Sequence, residues 1–292
     1  MHRRTAALAL TVLAAAACGG DDGATPGVDA ATRPVDFGGA RPVTLQVPSD
    51  FDASRTYPLL VILHGYSANS FLQQGYFKLA GEATHRQMLI LAPDGTVDGS
   101  GNQFWNADPT CCDLGGTGVD DVAYLGGLID AVKAAWPVRD VYLLGHSNGA
   151  FMAYRMACER ADVITAIAGL AGHATTVPCN PTRPVGVLHI HGTGDATVPY
   201  DTGTFMGVAS PGAVDSVAAW ATHNGCTGAP AAAGTRDLDS SLPGAESMVT
   251  ATAGCPAAGA ADLWTIPGAG HIPPLTTTFP DDLLAWYATQ QR

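Results

Sequence analysis

The chain alternates between short, continuous apolar runs and longer segments with helical periodicity. The apolar runs end in Gly or Ser and occupy 57–65, 87–95, 139–147, 163–172, 184–192 and 261–268. Runs of this length that end at turn residues are typical of strands buried on both faces of a sheet. A shorter alternating run at 42–48, flanked by proline, predicts an edge strand.

Helix-like segments separate these runs and lie at 71–85, 120–135, 148–160, 211–224 and 280–290. Buried strands that alternate with helices predict an α/β fold with a doubly wound, mostly parallel sheet. Neither an internal repeat nor a second core is evident, so we expect 41–292 to form a single domain. Ligands of such folds bind beyond the carboxyl ends of the strands, and chemistry is expected in the loops there.

The first residues have the pattern of an export signal. Residues 1–18 contain two Arg, an apolar run too short to span a bilayer as a permanent helix, and then Cys18. Cys18 stands where the acylated cysteine of a bacterial lipoprotein lies, and 19–40 predicts a flexible tether. Ala15 stands where Leu is commonest in lipoprotein signals. The alternative is therefore cleavage by ordinary signal peptidase, without acylation of Cys18. We expect an outer-membrane or cell-surface lipoprotein, or a secreted or periplasmic protein.

Composition and charge narrow the classes of function. The 292 residues are 47% hydrophobic, which supports a sizeable core, and 14 basic against 26 acidic residues give a formal net charge of −12. A nucleic-acid-binding protein needs a basic face, so we expect no nucleic-acid partner. No exposed coiled-coil or swapped element is evident, and we expect a monomer.

Export permits disulfides, and beyond Cys18 the chain has six further cysteines, which allow three bridges. Cys226 and Cys255 flank a Gly-, Ala- and Pro-rich stretch with little periodicity, and we expect them to pair. Closure of a loop of that length stabilises the folded chain by about 3 kcal/mol.

The four remaining cysteines leave their pairing open. Cys111 and Cys112 are adjacent and poorly placed to pair with each other, so we expect them to reach Cys158 and Cys179 in an order that the sequence does not assign. No cysteine pair has zinc-like spacing with histidine partners, so we expect no metal.

The strongest chemical signal is the pentapeptide Gly145-His146-Ser147-Asn148-Gly149, which follows a buried run and precedes a helical segment. In this G-x-S-x-G pattern the glycines allow a sharp strand-to-helix turn, which exposes the serine hydroxyl at a helix N-terminus. We predict Ser147 to be a nucleophile. The alternative is a glycine-rich structural turn with a bystander serine.

A serine nucleophile needs a base and an orienting acid, which follow in the order Ser, Asp, His in this kind of fold. Asp195 follows the run 184–192, and His271 follows the last run in a Gly-rich loop. We predict His271 as the base and Asp195 as the acid. The alternatives weighed are Asp94, Asp120, Asp121, His173, His189 and His191, of which Asp120 and Asp121 are expected to cap a helix.

An oxyanion needs two preorganised donors, and we predict the N–H groups of Asn148 and of Tyr66, which follows His64-Gly65 at the end of an early strand. Substrate-binding candidates are Tyr66, Trp105 and His146. His146 occupies the variable position of the pentapeptide and is expected to face away from attack. Trp105 lies in an aromatic, cysteine-containing loop, where it is either a stacking surface or a packing residue.

Eight segments follow one another in order: LHGYSAN, APDGT, FWNADPTCC, VDDVAYL, GHSNGAFMAYRMACE, PVGVLHIHGTGDATVPY, NGC and GAGH. In these segments, over roughly 41–292, the chain resembles secreted α/β-hydrolases of the polyhydroxybutyrate depolymerase and feruloyl esterase type, including LpqC-like lipoproteins. The resemblance implies an esterase with Ser147, Asp195 and His271 as its triad and without a metal or cofactor. The Pro-rich IPPLTTTFP after His271 departs from relatives that often have an aromatic there.

The expected function is therefore a serine carboxylic-ester hydrolase that acts through an acyl-enzyme. Its expected partners are small esters, polyesters or polysaccharide esters, with hydroxyalkanoate, feruloyl, acetyl or aromatic polyester bonds, and a lipid anchor if Cys18 is acylated. The alternatives are acyl transfer to a sugar or lipid alcohol, and a surface lipoprotein of the same fold without catalysis.

Overall fold

Strands and helices alternate along residues 30–292, the part of the chain that this computed structural model describes. The strands are β1 (Asp36–Phe37), β2 (Val43–Thr44), β3 (Tyr57–Leu63), β4 (Leu89–Leu91), β5 (Thr96–Val97), β6 (Gln103–Phe104), β7 (Val138–His146), β8 (Ala166–Leu170), β9 (Gly186–Gly192), β10 (Gly203–Phe205), β11 (Val208–Ser210), β12 (Pro230–Arg236), β13 (Ser247–Thr252) and β14 (Ala261–Ile266). The helices are α1 (Ser70–Tyr76), α2 (Ala83–Arg86), α3 (Asp121–Ala135), α4 (Asn148–Glu159), α5 (Gly212–Asn224) and α6 (Phe279–Ala288).

One eight-stranded sheet has the order β12-β13-β14-β9-β8-β7-β3-β4. The strands from β14 to β4 pair in parallel, whereas β12 and β13 pair antiparallel at one edge. The predicted α/β fold with a mostly parallel sheet is therefore confirmed. The edge strand predicted at 42–48 contains β2, which pairs with β1 in a separate two-stranded sheet.

Residues of the central strands face two cores in alternation, which explains why these strands are apolar throughout. On β7, Val141 and Leu143 pack with α3 and α4, while Tyr142 and Leu144 pack with α6 on the other face. A strand covered on both faces has no polar side to alternate with. Among residues 30–292, no helix has the length and apolarity needed to cross a bilayer.

The N-terminal part of the described chain packs against the domain. Trp136 Nε1 donates to Pro34 O at 2.8 Å, Val35 and Phe37 pack on the core, and β1 pairs with β2. The packed chain thus extends before residue 41, where the tether was expected to end. The predicted signal at 1–18, Cys18 and residues 19–29 lie outside the described residues.

The helix predicted at 71–85 is divided into α1 and the short α2. Lys78 and Gly81 lie between them with φ of 56° and 74°, values that interrupt a right-handed helix. The antiparallel strands β12 and β13 were not predicted as strands.

Residues 30–292 contain three disulfides. The predicted Cys226–Cys255 bridge is confirmed. The expectation that Cys111 and Cys112 reach two other cysteines is wrong. They pair with each other across a cis peptide bond, where their Cα atoms are 3.0 Å apart.

The two cysteines expected to bond Cys111 and Cys112 bond each other instead. Cys158, on α4, bonds Cys179 with a Cα–Cα distance of 5.5 Å, within the usual range for a disulfide. No disulfide therefore joins the loop around Cys111 to α4.

Candidate active site

Ser147 lies at the turn between β7 and α4, in a backbone conformation that few non-glycine residues adopt. Its φ is 53° and its ψ is −122°, and its N–H donates to Leu170 O at 2.8 Å. A Cβ on Gly145 would lie 2.1 Å from Gly149 O, and a Cβ on Gly149 would lie 2.2 Å from Leu63 O. Close backbone packing therefore requires both glycines, and the turn presents Ser147 Oγ beyond the carboxyl end of β7.

The three side chains predicted to act together are joined by two hydrogen bonds. Ser147 Oγ lies 2.9 Å from His271 Nε2, and His271 Nδ1 lies 2.7 Å from Asp195 Oδ2. Asp195 follows β9 and His271 follows β14, and these strands are parallel neighbours whose carboxyl ends meet at one edge. We call these residues the hydrogen-bonded triad. In such an arrangement an imidazole can take a hydroxyl proton while a carboxylate orients its other nitrogen.

Asp195 is fully buried and receives hydrogen bonds on both carboxylate oxygens. Oδ1 accepts from the N–H groups of Thr197 and Val198 at 2.8 and 2.9 Å, and Oδ2 contacts His191 Nε2 at 3.2 Å as well as His271. Burial alone would raise the pKa of this carboxyl, but the hydrogen bonds from His191, His271 and Val198 outweigh burial and hold the pKa well below its ordinary value. Asp195 is therefore a fixed negative charge beside His271.

Two further histidines near the triad are buried, and burial favours the neutral form of each ring. Burial lowers the pKa of His146 to about 4, and its Nε2 donates to His271 O at 3.0 Å. His64 Nδ1 donates to Gly65 O at 2.8 Å, its Nε2 accepts from Gly95 N–H at 2.9 Å, and burial lowers its pKa too. His64 thus anchors the loop after β3, and His146 supports the loop that carries His271.

The other candidate bases and acids are engaged away from Ser147. The Asp120 side chain caps α3 by accepting from Ala123 N–H at 2.9 Å. Asp121, also expected to cap α3, instead forms an ion pair with Arg41, in which Oδ1 lies 2.6 Å from Nη1. Asp94 accepts a backbone N–H at 2.7 Å, and His173 Nδ1 donates to a carbonyl at 2.8 Å. Within residues 30–292, no group of three or more His, Cys, Asp or Glu side chains could hold a metal ion.

The loop after β3 runs alongside Ser147. A Cβ on Gly65 would lie 3.4 Å from Ser147 Cβ, and Gly65 N–H donates to Gln73 Oε1 at 3.1 Å. The N–H groups of Tyr66 and Asn148 make no hydrogen bond to another described residue. Two such donors beside a serine hydroxyl can bind an oxyanion. Gln73, which holds this loop from α1, carried no sequence signal that would have identified it.

Trp105 is fully buried, so the prediction that it forms a stacking surface for substrate is wrong. Its Nε1 donates to His64 O at 3.1 Å. Its backbone is bracketed by the Asn148 side chain, whose Oδ1 accepts from Trp105 N–H at 2.7 Å and whose Nδ2 donates to Trp105 O at 2.9 Å. Asn148 therefore joins the aromatic loop to the start of α4, a role that sequence reasoning missed.

Two cavities meet at Ser147 and Tyr66. One, of about 230 Å³, also contains His146 and His271 and is otherwise lined by Gly65, Ala68, Leu72, Gln73, Tyr76 and Ile272. The other, of about 200 Å³, is otherwise lined by Thr110, Cys111, Cys112, Leu114, Thr197, Val198, Phe205 and Met206. Tyr66 and His146, which stay predictions as substrate-binding residues, both line the first of these cavities, and Tyr66 OH donates to Asp98 Oδ2 at 2.6 Å.

Sequence comparison gives several relatives that are named as esterases. The chain is 30% identical to feruloyl esterase B of Piromyces equi over 207 residues, which are 65% of this chain and 37% of that protein. It is 28% identical to the probable feruloyl esterase C of Aspergillus niger over 171 residues, which are 56% of this chain and 58% of that protein. The chain thus spans less than two thirds of the length of these relatives. No protein-family model matches it.

Among solved structures, the acetyl xylan esterase from Aspergillus awamori superposes with a TM-score of 0.57. That match covers 85% of this chain and 94% of the other chain, at 14% sequence identity. At this level of identity the similarity establishes a shared fold.

Proposed function

We propose that this chain, a relative of feruloyl esterases with the α/β-hydrolase fold, is a serine carboxylic-ester hydrolase. The observation that carries the proposal is the hydrogen-bonded triad, in which Ser147, His271 and Asp195 are joined at 2.9 and 2.7 Å. The relatives with esterase names support the same reaction class.

In the proposed reaction, Ser147 Oγ bonds to the ester carbonyl carbon while its proton passes to His271 Nε2. The bond from that carbon to the alcohol oxygen then breaks, and His271 returns the proton to the departing alcohol. In the second half, a water oxygen bonds to the acyl carbon while its proton passes to His271. The bond from that carbon to Ser147 Oγ then breaks, and His271 returns the proton to Oγ as the acid leaves. Asp195 stabilises the imidazolium that forms in each half.

The carbonyl oxygen becomes negatively charged in both halves. The N–H groups of Tyr66 and Asn148 are the donors that we propose for it, because they flank Ser147 and lack another partner among the described residues. Loss of one such donor in a water-excluded site costs about 100-fold in kcat. Gln73 and the Asn148 side chain hold the two donor loops in place.

The two cavities receive different parts of the ester. The alcohol oxygen must come within reach of His271 Nε2, so we assign the alcohol to the cavity that contains His271 and Ile272. The acyl group then occupies the cavity formed by Cys111, Cys112 and Met206. Its lining is mostly apolar and suits feruloyl, short acyl, hydroxyalkanoyl or aromatic polyester groups.

Export to an oxidising compartment is part of the proposal, since three disulfides are stable there and uncommon in the cytosol. Lipid attachment at Cys18 remains a proposal based on the sequence. Intact-mass measurement of the membrane-extracted protein tests it, because acylation adds the mass of a diacylglyceryl group and removal of residues 1–17 alone does not.

The test of activity compares initial rates on methyl ferulate and on a short 3-hydroxybutyrate oligomer, with wild type beside Ser147→Ala. We expect hydrolysis of at least one ester by wild type and none by the variant. A preference for ferulate indicates an aromatic acyl site, and a preference for the oligomer indicates an aliphatic one. Equal rates for wild type and Ser147→Ala would contradict the proposal.

Ile272 and Met206 give a matched pair for the cavity assignment, since both are exposed apolar side chains at 65% and 61%. Ile272→Ala is expected to change discrimination between methyl and butyl alcohols, and Met206→Ala between acetyl and butyryl groups. The expected change is about fourfold in the kcat/KM ratio, the value of one buried methylene. If Ile272→Ala instead changed acyl discrimination and Met206→Ala changed alcohol discrimination, the acyl and alcohol cavities would be exchanged.

A further inference from the structure

Strand β9 carries two buried histidines on the face of the sheet that packs against α5. His189 and His191 are two residues apart, as same-face positions of a strand are, and neither is exposed to solvent. The ring centroids are 5.2 Å apart, and His189 Nε2 lies 2.9 Å from His191 Nδ1. Tyr154 of α4, also fully buried, brings its hydroxyl to 2.7 Å from His189 Nδ1. We call Tyr154, His189 and His191 the buried relay.

The relay ends at the carboxylate of the hydrogen-bonded triad. His191 Nε2 lies 3.2 Å from Asp195 Oδ2 and 3.0 Å from Val198 O. Both atoms are acceptors, so His191 Nε2 must carry a proton. The one Nε2 proton of His191 is thus shared between Val198 O and Asp195 Oδ2, and Oδ2 also accepts from His271.

The direction of the other two hydrogen bonds follows from Tyr154. Among residues 30–292, its hydroxyl contacts one hydrogen-bond acceptor, His189 Nδ1, so the hydroxyl donates and Nδ1 is unprotonated. His189 then has its proton on Nε2 and donates to His191 Nδ1. Burial, and the neighbouring His191 and His173, lower the pKa of His189 well below its ordinary value, which agrees with a neutral ring. The hydrogen bonds from Tyr154 to His189 and from His189 to His191 thus both run toward Asp195.

We propose that Tyr154 and His189 are positioning residues that keep His191 neutral with its proton on Nε2, so that the charge of Asp195 remains available to His271. The inference rests on the proposed function, because the charge of Asp195 matters for a reaction in which His271 becomes an imidazolium. With Nδ1 occupied by the His189 donor, His191 cannot take a second proton. Without that donor, Nδ1 has a free lone pair, and a proton gained there would place a positive charge 3.2 Å from Asp195 Oδ2 and offset the charge of the carboxylate.

Other titratable groups face this region from the surrounding elements. They are Tyr200 in the loop after β9, His146 at the end of β7, His173 after β8, and His271 after β14. Burial lowers the pKa of His146 to about 4 and also lowers the pKa of His173, so burial favours the neutral form of both rings. Asp195 is the nearest negative charge, and a proton gained at His191 would act on it first.

The test uses the pH dependence of kcat/KM. Tyr154→Phe/His189→Phe removes the donor to His191 without leaving the Tyr154 hydroxyl unpaired. We expect the acid-side midpoint of the profile to rise by about one pH unit, which is about a tenfold loss of kcat/KM on the acid side, with a rate within about twofold of wild type at alkaline pH. A purely structural role would lower the rate equally at all pH values and would overturn the proposal.

Two variants serve as controls. Tyr154→Phe/His189→Gln restores an N–H near the position of the His189 Nε2 atom, and we expect it to return the midpoint to that of wild type. Tyr142→Phe removes another buried tyrosine hydroxyl, which donates to Gln290 O at 2.8 Å and lies outside the relay. We expect it to leave the midpoint unchanged. An equal shift of the acid-side midpoint in Tyr142→Phe would contradict the proposal. So would a midpoint in Tyr154→Phe/His189→Gln that stays at the value of Tyr154→Phe/His189→Phe.

A measurement on the wild type separates this proposal from the proposed esterase activity. Imidazole ¹⁵N chemical shifts report tautomer and charge without turnover. We expect His189 and His191 to be neutral with protons on Nε2, whether or not an ester is hydrolysed. A proton on His191 Nδ1 in the folded wild type would overturn the relay even if the protein proves to be an esterase.

Discussion

The turn around Ser147 and the antiparallel edge formed by β12 and β13 are held in place in different ways. At the turn, a Cβ on Gly149 would lie 2.2 Å from a backbone oxygen. On β12, the side chains are almost all exposed, and a Cβ on Gly234 would have nothing within 4 Å. Buried packing therefore fixes the turn, while strand pairing and the Cys226–Cys255 bridge hold the edge. We expect changes at the turn to alter activity and changes at the edge to alter stability alone.

The largest effect is expected from Gly149→Ala. The added methyl group must displace the backbone of β3 or α4, which costs about 3 kcal/mol or more in unfolding free energy. Displacement of Ser147 lowers kcat/KM by about 100-fold or more. Denaturant unfolding and initial rates measure both.

Gly127→Ala is the matched control, because Gly127 is also helical but exposed, with nothing within 4 Å of an added Cβ. We expect it to stabilise the protein by up to about 1 kcal/mol and to leave the rate unchanged. Similar losses in both variants would mean that the turn is no more tightly packed than the surface of α3.

The next largest effect is expected on stability, with activity unchanged. Replacement of both Cys226 and Cys255 by Ser opens a disulfide between residues 29 apart in the chain, and we expect a loss of about 3 kcal/mol in unfolding free energy. Because β12 and β13 lie away from Ser147 in the strand order, kcat/KM should stay within about twofold. A tenfold loss of kcat/KM in folded protein would show that the edge influences the site.

A third prediction concerns pH and the buried His146. Its folded pKa of about 4 is below the ordinary value of about 6.5, so the unfolded chain binds a proton between these pH values and the folded chain does not. Unfolding free energy therefore falls as pH falls from about 6.5 to about 4, by at most about 1.4 kcal/mol per pH unit for this residue. His146→Gln is expected to reduce that slope in urea titrations.

The edge provides the control for this titration. The segment 226–255 contains no histidine, so Met248→Ala on β13 should leave the slope unchanged. An unchanged slope in His146→Gln would mean that His146 does not resist protonation in the folded state.

The smallest of these effects is expected for Trp105→Phe. The variant leaves the buried His64 carbonyl without its donor, which costs about 1–3 kcal/mol. Because the ring is fully buried, KM for methyl ferulate should stay within about twofold. A large rise in KM with stability unchanged would restore Trp105 as a substrate-binding residue.

The parallel strands and the turn at Ser147 could be predicted from the sequence because their physical causes are local. Residues 57–63 and 186–192 lie within apolar runs, as burial on both faces requires. Gly145 and Gly149 stand where the backbone approaches within van der Waals distance. The same reasoning placed Asp195 and His271 after neighbouring strands, from which Asp195 reaches His271 and His271 reaches Ser147.

The other features depend on tertiary packing, which the pattern of apolar and polar residues does not reveal. β12 is exposed along nearly its whole length and has no apolar periodicity to reveal it. Trp105 looks the same in a sequence whether its ring faces a cavity or the core. The sequence offers His191 only as an alternative base, and its 3.2 Å contact with Asp195 is visible only in the structure.

The most direct test of the account is intact-mass analysis after exposure of folded protein to a fluorophosphonate. The hydrogen-bonded triad predicts one adduct, mapped by peptide sequencing to Ser147, absent from Ser147→Ala and formed much more slowly in His271→Gln. A folded wild-type protein that acquires no adduct, or acquires it at another residue, would contradict the assignment of Ser147 as an activated nucleophile.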